Sequence, residues 1–256
     1  MRTYLITGIL MLTMVSAQID TIKFDDGSFK MNQLNFGDHY YLVFMQKEAD
    51  GPKSNFTIWK RSLRREKMDG KNYIHLDWAM DFGDPTKLVK ENIYVDANTF
   101  RPQFETHLMR GMRGAGESRS SIRWQRNHVF SESDTLKHNS RQFDTELDPQ
   151  TFNWQLDMET FSMLPYKLGK KFAINFYHPG SSVMPKYYVY TVSGEEKIDF
   201  AGREIDCWLI SYDYDEKSHS TWWVDKKTFQ VMKLYETSPY GIRYKIKIAA
   251  DFFKSL

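Results

Sequence analysis

Trp222-Trp223-Val224-Asp225-Lys226-Lys227-Thr228-Phe229-Gln230-Val231-Met232-Lys233-Leu234-Tyr235 reads as a strand, a short turn and a second strand. Asp225 can cap the turn by accepting a backbone N–H two residues on. The aromatic and β-branched residues on both sides suit a pleated, half-buried surface. A close copy stands at Ile93-Tyr94-Val95-Asp96-Ala97-Asn98-Thr99-Phe100-Arg101-Pro102, and a looser one at Leu147-Asp148-Pro149-Gln150-Thr151-Phe152. The chain reuses one device, an antiparallel hairpin with an Asp-x-x-Thr-Phe corner. That predicts a mainly β protein.

Working outward, more strands follow the same logic. His39–Gln46 is apolar on both faces, and Asp69-Gly70 is a hairpin turn leading into Tyr73–Trp78. Phe172, Ile174 and Phe176 alternate with polar positions, and Lys186–Val192 and Ile205–Asp213 follow as strands. In the last strand Ile242, Tyr244, Ile246 and Ile248 alternate with Arg243, Lys245 and Lys247, so the apolar set is expected to face the core and the basic set water. The middle, 105–146, carries Arg110, Arg113, Arg119, Arg123 and Arg126 and reads as two polar strands with a connection. One helix is expected from Asp148-Pro149, with Asp as N-cap, Pro at the first helical position and Phe152, Leu156, Met163 and Leu164 on one face. The alternation Phe152, Trp154, Leu156, Met158 fits a strand too. A shift of 132 residues aligns Phe29 with Phe161 and Phe44 with Phe176, so a duplication stays open beside a meander that repeats one turn.

Met1–Ala17 has Arg2, a short apolar run and small residues at Val15-Ser16-Ala17, the pattern of a signal peptide cleaved before Gln18. The run is too short for a bilayer span, which takes about 20 apolar residues. Residues 18–256 are then expected to form one β-rich domain. The 35 Lys and Arg against 33 Asp and Glu give a net charge of only +2, no general reason to expect nucleic acid or a membrane surface as partner. A single cysteine, Cys207, allows no internal disulfide, which suits an exported protein of a bacterial periplasm.

A nucleophile elbow, a His-Glu-x-x-His helix and a Cys-x-x-Cys pair are all missing from the sequence. Asp213 and Asp215 could share a strand face and, with His219 nearby, ligate a hard cation, but no Gly-centred loop accompanies them, and a solvated turn explains them as well. His75 and Asp77 alternate on a strand and could form an acid–base pair, yet nothing supplies a nucleophile. Cys207 reads as a small buried hydrophobe. Lys60–Lys67 and the arginines of 110–126 could meet phosphate groups, or form solvated strand faces. No cofactor, metal or catalytic residue is expected.

Thr99-Phe100-Arg101-Pro102, then Asp148–Gly169 with Met163-Leu164-Pro165-Tyr166-Lys167-Leu168-Gly169, then Glu204-Ile205-Asp206-Cys207-Trp208 and the Trp-Trp-Val-Asp hairpin form a recognisable order. Over roughly 30–250 it resembles an uncharacterised family of exported bacterial proteins, a domain of unknown function grouped with the LolA/LolB-like lipoprotein carriers. The resemblance implies a curved antiparallel sheet, a half-open β-barrel, with one helical insert on its concave side. In the carriers the concavity shelters acyl chains, and the family pattern brings no catalytic residues. The expected function is therefore a periplasmic, non-catalytic binding protein for a lipid or other apolar ligand. Phe172, Ile174, Phe176, Ile242, Tyr244 and Ile246 are the candidate lining, though the same residues suit a closed core. An envelope protein that holds a protein partner is the first alternative, and a hydrolase using Asp213, Asp215 and His219 the second.

Overall fold

The computed structural model describes residues 18–112, 116–132 and 142–250; the expected signal peptide and Arg113 lie outside them. Strand β1 (Ile19–Thr21) comes first. One meander follows: β2 (Gly37–Gln46), β3 (Lys53–Met68), β4 (Lys71–Asp81), β5 (Leu88–Asp96), β6 (Pro102–Arg110), β7 (Glu117–Gln125), β8 (His128–Ser131) and β9 (Asp144–Glu146). Short β10 (Thr151–Asn153) and helix α1 (Asp157–Ser162) occupy the middle. A second meander runs through β11 (Lys171–Tyr177), β12 (Lys186–Phe200), β13 (Arg203–Asp215), β14 (Ser218–Asp225), β15 (Val231–Ser238) and β16 (Gly241–Ile248).

All the described strands belong to one sheet. β16 pairs antiparallel with β2, from Ile242 opposite Gln46 to Ile248 opposite Tyr40, and so fuses the two meanders. β1 and β10 add to β11 in parallel. The hydrogen-bonded path runs from β1 to β9 without closing, which makes a curved, half-open barrel. Side chains fill the seam where a ladder would close it: Ile122, Trp124 and Val129 meet Leu147 and Tyr177 in a buried cluster.

The two Asp-x-x-Thr-Phe corners are built alike and lie at the same rim. Asp96 accepts the N–H groups of Asn98 and Thr99, both at 2.9 Å, and Asp225 accepts that of Lys227 at 2.8 Å. The Thr228 hydroxyl donates to Asp225 at 2.6 Å. Each corner ends on a phenylalanine in the left-handed region, φ +64° at Phe100 and +58° at Phe229, conformations a bulky residue adopts only when held there. At Phe100 the hold is burial in the core. Residues 22–36 cover this rim, and Phe29 sets its ring edge-on to Phe100 and Phe152. Connections after β2, β4, β11, β13 and β15 fall at the opposite rim, because antiparallel turns alternate ends.

The Asp148 copy departs from this pattern, and so does the expected helix. Asp148 caps a turn through the Gln150 N–H, but Thr151–Asn153 then extend and pair with Asn175–Tyr177. A 3-10 turn over Trp154–Leu156 follows, capped by Asn153, and the α-helix covers only Asp157–Ser162. Parallel pairing with β11 holds 151–153 extended, with the Thr151 N–H returned to the Asp148 carbonyl, so the Pro-led cap never starts a helix.

All six residues of α1 are buried. Phe161 packs edge-on against Tyr190 and Trp222, while Glu159 reaches Arg61 on β3, so the helix lies on the concave side between the two meanders.

Strand β16 is reversed from expectation. Opposite Val43 and Leu234, both core residues, stands Lys245, so Arg243, Lys245 and Lys247 share the face turned toward α1. Ile242, Tyr244 and Ile246 face the other way, with Tyr244 stacked on Phe44 at 4.9 Å and Ile246 37% exposed.

Candidate functional site

The concave interior is held by charge as well as by apolar contact. Arg61, 2% exposed, donates from Nε to Glu159 Oε1 at 3.1 Å and from Nη2 to both Glu159 Oε2 at 2.5 Å and the Gln155 carbonyl at 2.8 Å. Its guanidinium lies 4.7 Å from the Trp78 ring centroid. Two residues before Glu159 on α1, Asp157 lies 3.8 Å from the Lys245 ammonium, which sits 4.6 Å from Trp59 and 4.7 Å from Trp222. Burial pushes the Lys245 pKa down to about 8, against the pull of Asp157. The two acids of α1 thus meet cations from β3 and β16. A cavity of about 20 Å³ beside Glu159, bordered by His39, Tyr41 and Ser162, has room for one water.

On the other side of α1 the inward positions of β5 and β6 are also polar. Glu105 accepts from Trp124 Nε1 at 3.0 Å and Asn153 Nδ2 at 2.8 Å, with His107 Nε2 at 3.2 Å. Glu91 accepts from Gln155 at 2.6 Å, and burial raises its pKa. Burial opposes a charge on His107, but the Glu105 hydrogen bond and the carboxylates of Glu105 and Glu91 carry its pKa up to about 9. Glu105 and Glu91 tie Asn153 and Gln155 to the sheet, while Gln155 Oε1 is left buried without a hydrogen-bond partner among the described residues.

Toward the rim opposite the corners the lining changes to aromatic rings. Trp154 stacks on His178 at 5.3 Å and meets Tyr188 edge-on at 4.5 Å. Tyr188 meets Tyr212 at 5.3 Å, and Tyr212 meets Tyr214 at 4.6 Å. Tyr188 is buried, whereas Trp154, Tyr212 and Tyr214 are only partly covered. The patch continues inward through Phe176 and Tyr190.

The six candidate lining residues do not form one site. Phe172, Ile174 and Phe176 are in the core, sealed at 0–1% exposure. Ile242, Tyr244 and Ile246 lie on the face of β16 turned away from them. Exposed Asp213 pairs with partly covered His219 at 2.5 Å, while Asp215 caps its own turn through the Lys217 N–H at 2.8 Å, with a register break between the two acids. His75 binds Glu66 at 2.9 Å and Asn92 at 3.1 Å, and Asp77 faces Arg64 and Lys90 instead. Among the described residues, no group of three or more His, Cys, Asp or Glu is arranged to hold a metal. Cys207 is buried, and burial raises its thiol pKa to about 12. In the polar middle, Arg119 pairs with Glu117 and Arg123 with Glu132.

Sequence reading missed Arg61, Lys245, Glu105, His107 and the Trp154 patch. Alternating tyrosines at 188, 190, 212 and 214 were the available signal for the last of these, since period-2 spacing puts them on one face of adjoining strands.

Fold and lining together define a mainly β protein of the half-open barrel kind with a short internal helix. Residues 68–247 match the family described as Protein of unknown function (DUF3108), and the chain belongs to that family. No curated protein matches it. Among solved structures, a beta-barrel-like protein of domain of unknown function DUF1849 from Brucella abortus aligns at 6% identity with a TM-score of 0.47, over 84% of this chain and 97% of that one. No described helix is long and apolar enough to cross a membrane.

Proposed function

We propose that this is an exported, non-catalytic binding protein that holds an apolar ligand, a lipid or acyl chain, against the aromatic mouth of the half-barrel. The observation that carries the reading is the partly covered patch of Trp154, Tyr212 and Tyr214, continuous with the sealed rings of Phe176 and Tyr190. Apolar rings left accessible at the end of a concave sheet are the usual form of a small-molecule site. Phe172, Ile174 and Phe176 then form the floor behind the site. The non-catalytic part rests on the resemblance, whose motifs bring no catalytic residues; the hydroxyl–imidazole–carboxylate row of Thr221, His219 and Asp213 ends on a threonine side chain that also bonds Ser211. The periplasmic address rests on the leader pattern of residues 1–17, and kinship with the LolA/LolB-like carriers on the motif order and the helix inside the curve.

Native mass spectrometry of gently purified protein, with an organic extract of the same sample, tests this. A discrete adduct matching an extracted lipid is expected, and Trp154→Ala should lose it. A clean apo mass from folded protein, with an empty extract, overturns the proposal.

A second reading, an envelope protein that binds a protein partner, draws on the outer face of β16 and β2. There Phe44, Tyr235 and Tyr244 stack beside Phe56, which is 50% exposed. Partner capture lost in Phe56→Ser and retained in Trp154→Ala would favour it.

A further inference from the structure

Eleven large apolar side chains are exposed among the described residues, and six of them gather at the rim that carries the aromatic mouth. Tyr240 is 89% exposed, Val183 60%, Met184 59%, Phe56 50%, Met109 44% and Tyr187 41%. They come from separate connections: 178–185 after β11, the tight turn between β15 and β16, and the strand ends of β3, β6 and β12. The two stretches with the most exposed chains, His178–Pro185 and Ser238–Gly241, contain no Asp, Glu, Lys or Arg. Lysines stand just inside the tips, at Lys53 and Lys186, and both are exposed.

From this we infer that the mouth rim docks onto a lipid bilayer surface, with Val183, Met184 and Tyr240 entering the headgroup region. Strands lie about 4.8 Å apart, so the six strand steps from β12 to β3 spread these tips over roughly 30 Å of rim. One small molecule does not cover such an arc, whereas a flat surface meets all the tips at once. The two charge-free tips bear a tyrosine and aliphatic chains, with Lys186 two residues behind Met184, which matches the layering of a membrane interface; the turns at 47–52 and 215–217 on the same rim carry acids alongside Lys47 and Lys217. The apolar groups enter the acyl boundary and the lysines reach back to phosphates. Exposed apolar surface concentrated at one site is also the mark of an interaction surface, since scattered single residues need no such account. The inference rests on the proposed lipid-binding reading for its choice of partner: docked this way, the mouth faces the layer from which a lipid would enter.

The test is flotation of the full chain with vesicles of phosphatidylethanolamine and phosphatidylglycerol, beside the triple variant Val183→Ser, Met184→Ser, Tyr240→Ser. All three positions are exposed, and thermal unfolding of the variant should match wild type. Wild type is expected to float, with the triple variant reduced about tenfold or more. Phe36→Ser with Leu168→Ser, exposed apolar positions away from this rim, serves as the control and should float as wild type. Tyr240→Trp should show a blue-shifted, bromolipid-quenched emission on vesicles. Wild type that stays at the bottom of the gradient, as it would if the rim met a protein partner, overturns the docking. So does a triple variant that floats like wild type, or a control pair that loses as much. Failure here is separable from failure of the ligand reading. A lipid adduct in the mass spectrum without flotation removes only the docking, and flotation of a protein that never carries an adduct removes only the ligand.

Discussion

Arg61→Met should be among the most damaging single changes in the protein, and its cost can be worked from the contacts it breaks. Arg61 makes two hydrogen bonds to Glu159 and one to the Gln155 carbonyl, and it lies against Trp78. Met restores most of the stem's packing but leaves the Glu159 carboxylate buried with no cation. Breaking one side of a buried ion pair costs about 3–5 kcal/mol, a large share of the ~5–15 kcal/mol that holds a domain folded. Glu159→Met should cost a similar amount by stranding the guanidinium. The double change removes both charges, and since the desolvation of two ions nearly offsets their attraction, it should cost at most about 1–2 kcal/mol. The assay is equilibrium urea unfolding followed by tryptophan fluorescence, with the slope checked for constancy across the four proteins. The double-mutant cycle should return a coupling of several kcal/mol. Additive single effects, or an Arg61→Met cost below about 1 kcal/mol, would refute the claim that the pair is isolated from water and locks α1 in place.

His107 has a raised pKa, so its stabilising contribution is complete below 6.5 and is lost as pH rises toward about 9; the loss is worth roughly 3 kcal/mol, and His107→Gln should flatten that decline in unfolding free energy between the two values. Lys245 works in the opposite sense: its lowered pKa means stability recovers as pH climbs from about 8 toward 10.5, and Lys245→Met should remove that rise. Asp225→Ala strips the corner of its side-chain acceptor and should cost about 1–3 kcal/mol in the same assay, with Asp225→Asn recovering part. Cys207 should stay unreacted with a disulfide reagent at pH 8 in the native state and react fully in urea, because its thiol is both buried and held protonated.

The hairpin architecture was legible because its signals are local. An Asp that caps its own turn, a Thr that reinforces it and alternation on both sides all act within about ten residues, and Asp96 and Asp225 make the bonds their spacing implies. The pairing of β16 with β2 had no such signal. Neither did β10, whose three residues are held by a partner strand more than twenty positions away and override a good cap at Asp148.

The interior site was illegible for a different reason, and β16 shows it. Alternation divides a strand into two faces but does not say which one the fold turns inward. The inward choice followed the usual rule that apolar faces are buried, and that rule holds only while no charge elsewhere compensates the basic face. Here Asp157 and Glu159 supply the compensation from α1, and Arg61 answers Glu159 from 98 positions away. Tyr244 meanwhile finds aromatic company on the outer face in Phe44 and Tyr235. Each half of that exchange looks like an error when read alone: acids on a buried helix, lysines on a core-facing strand, an aromatic ladder turned outward. They become consistent only together, once three segments distant in sequence are brought to one place. A buried charge network is by its nature a long-range agreement, so a local pattern can name its members as polar but cannot place them.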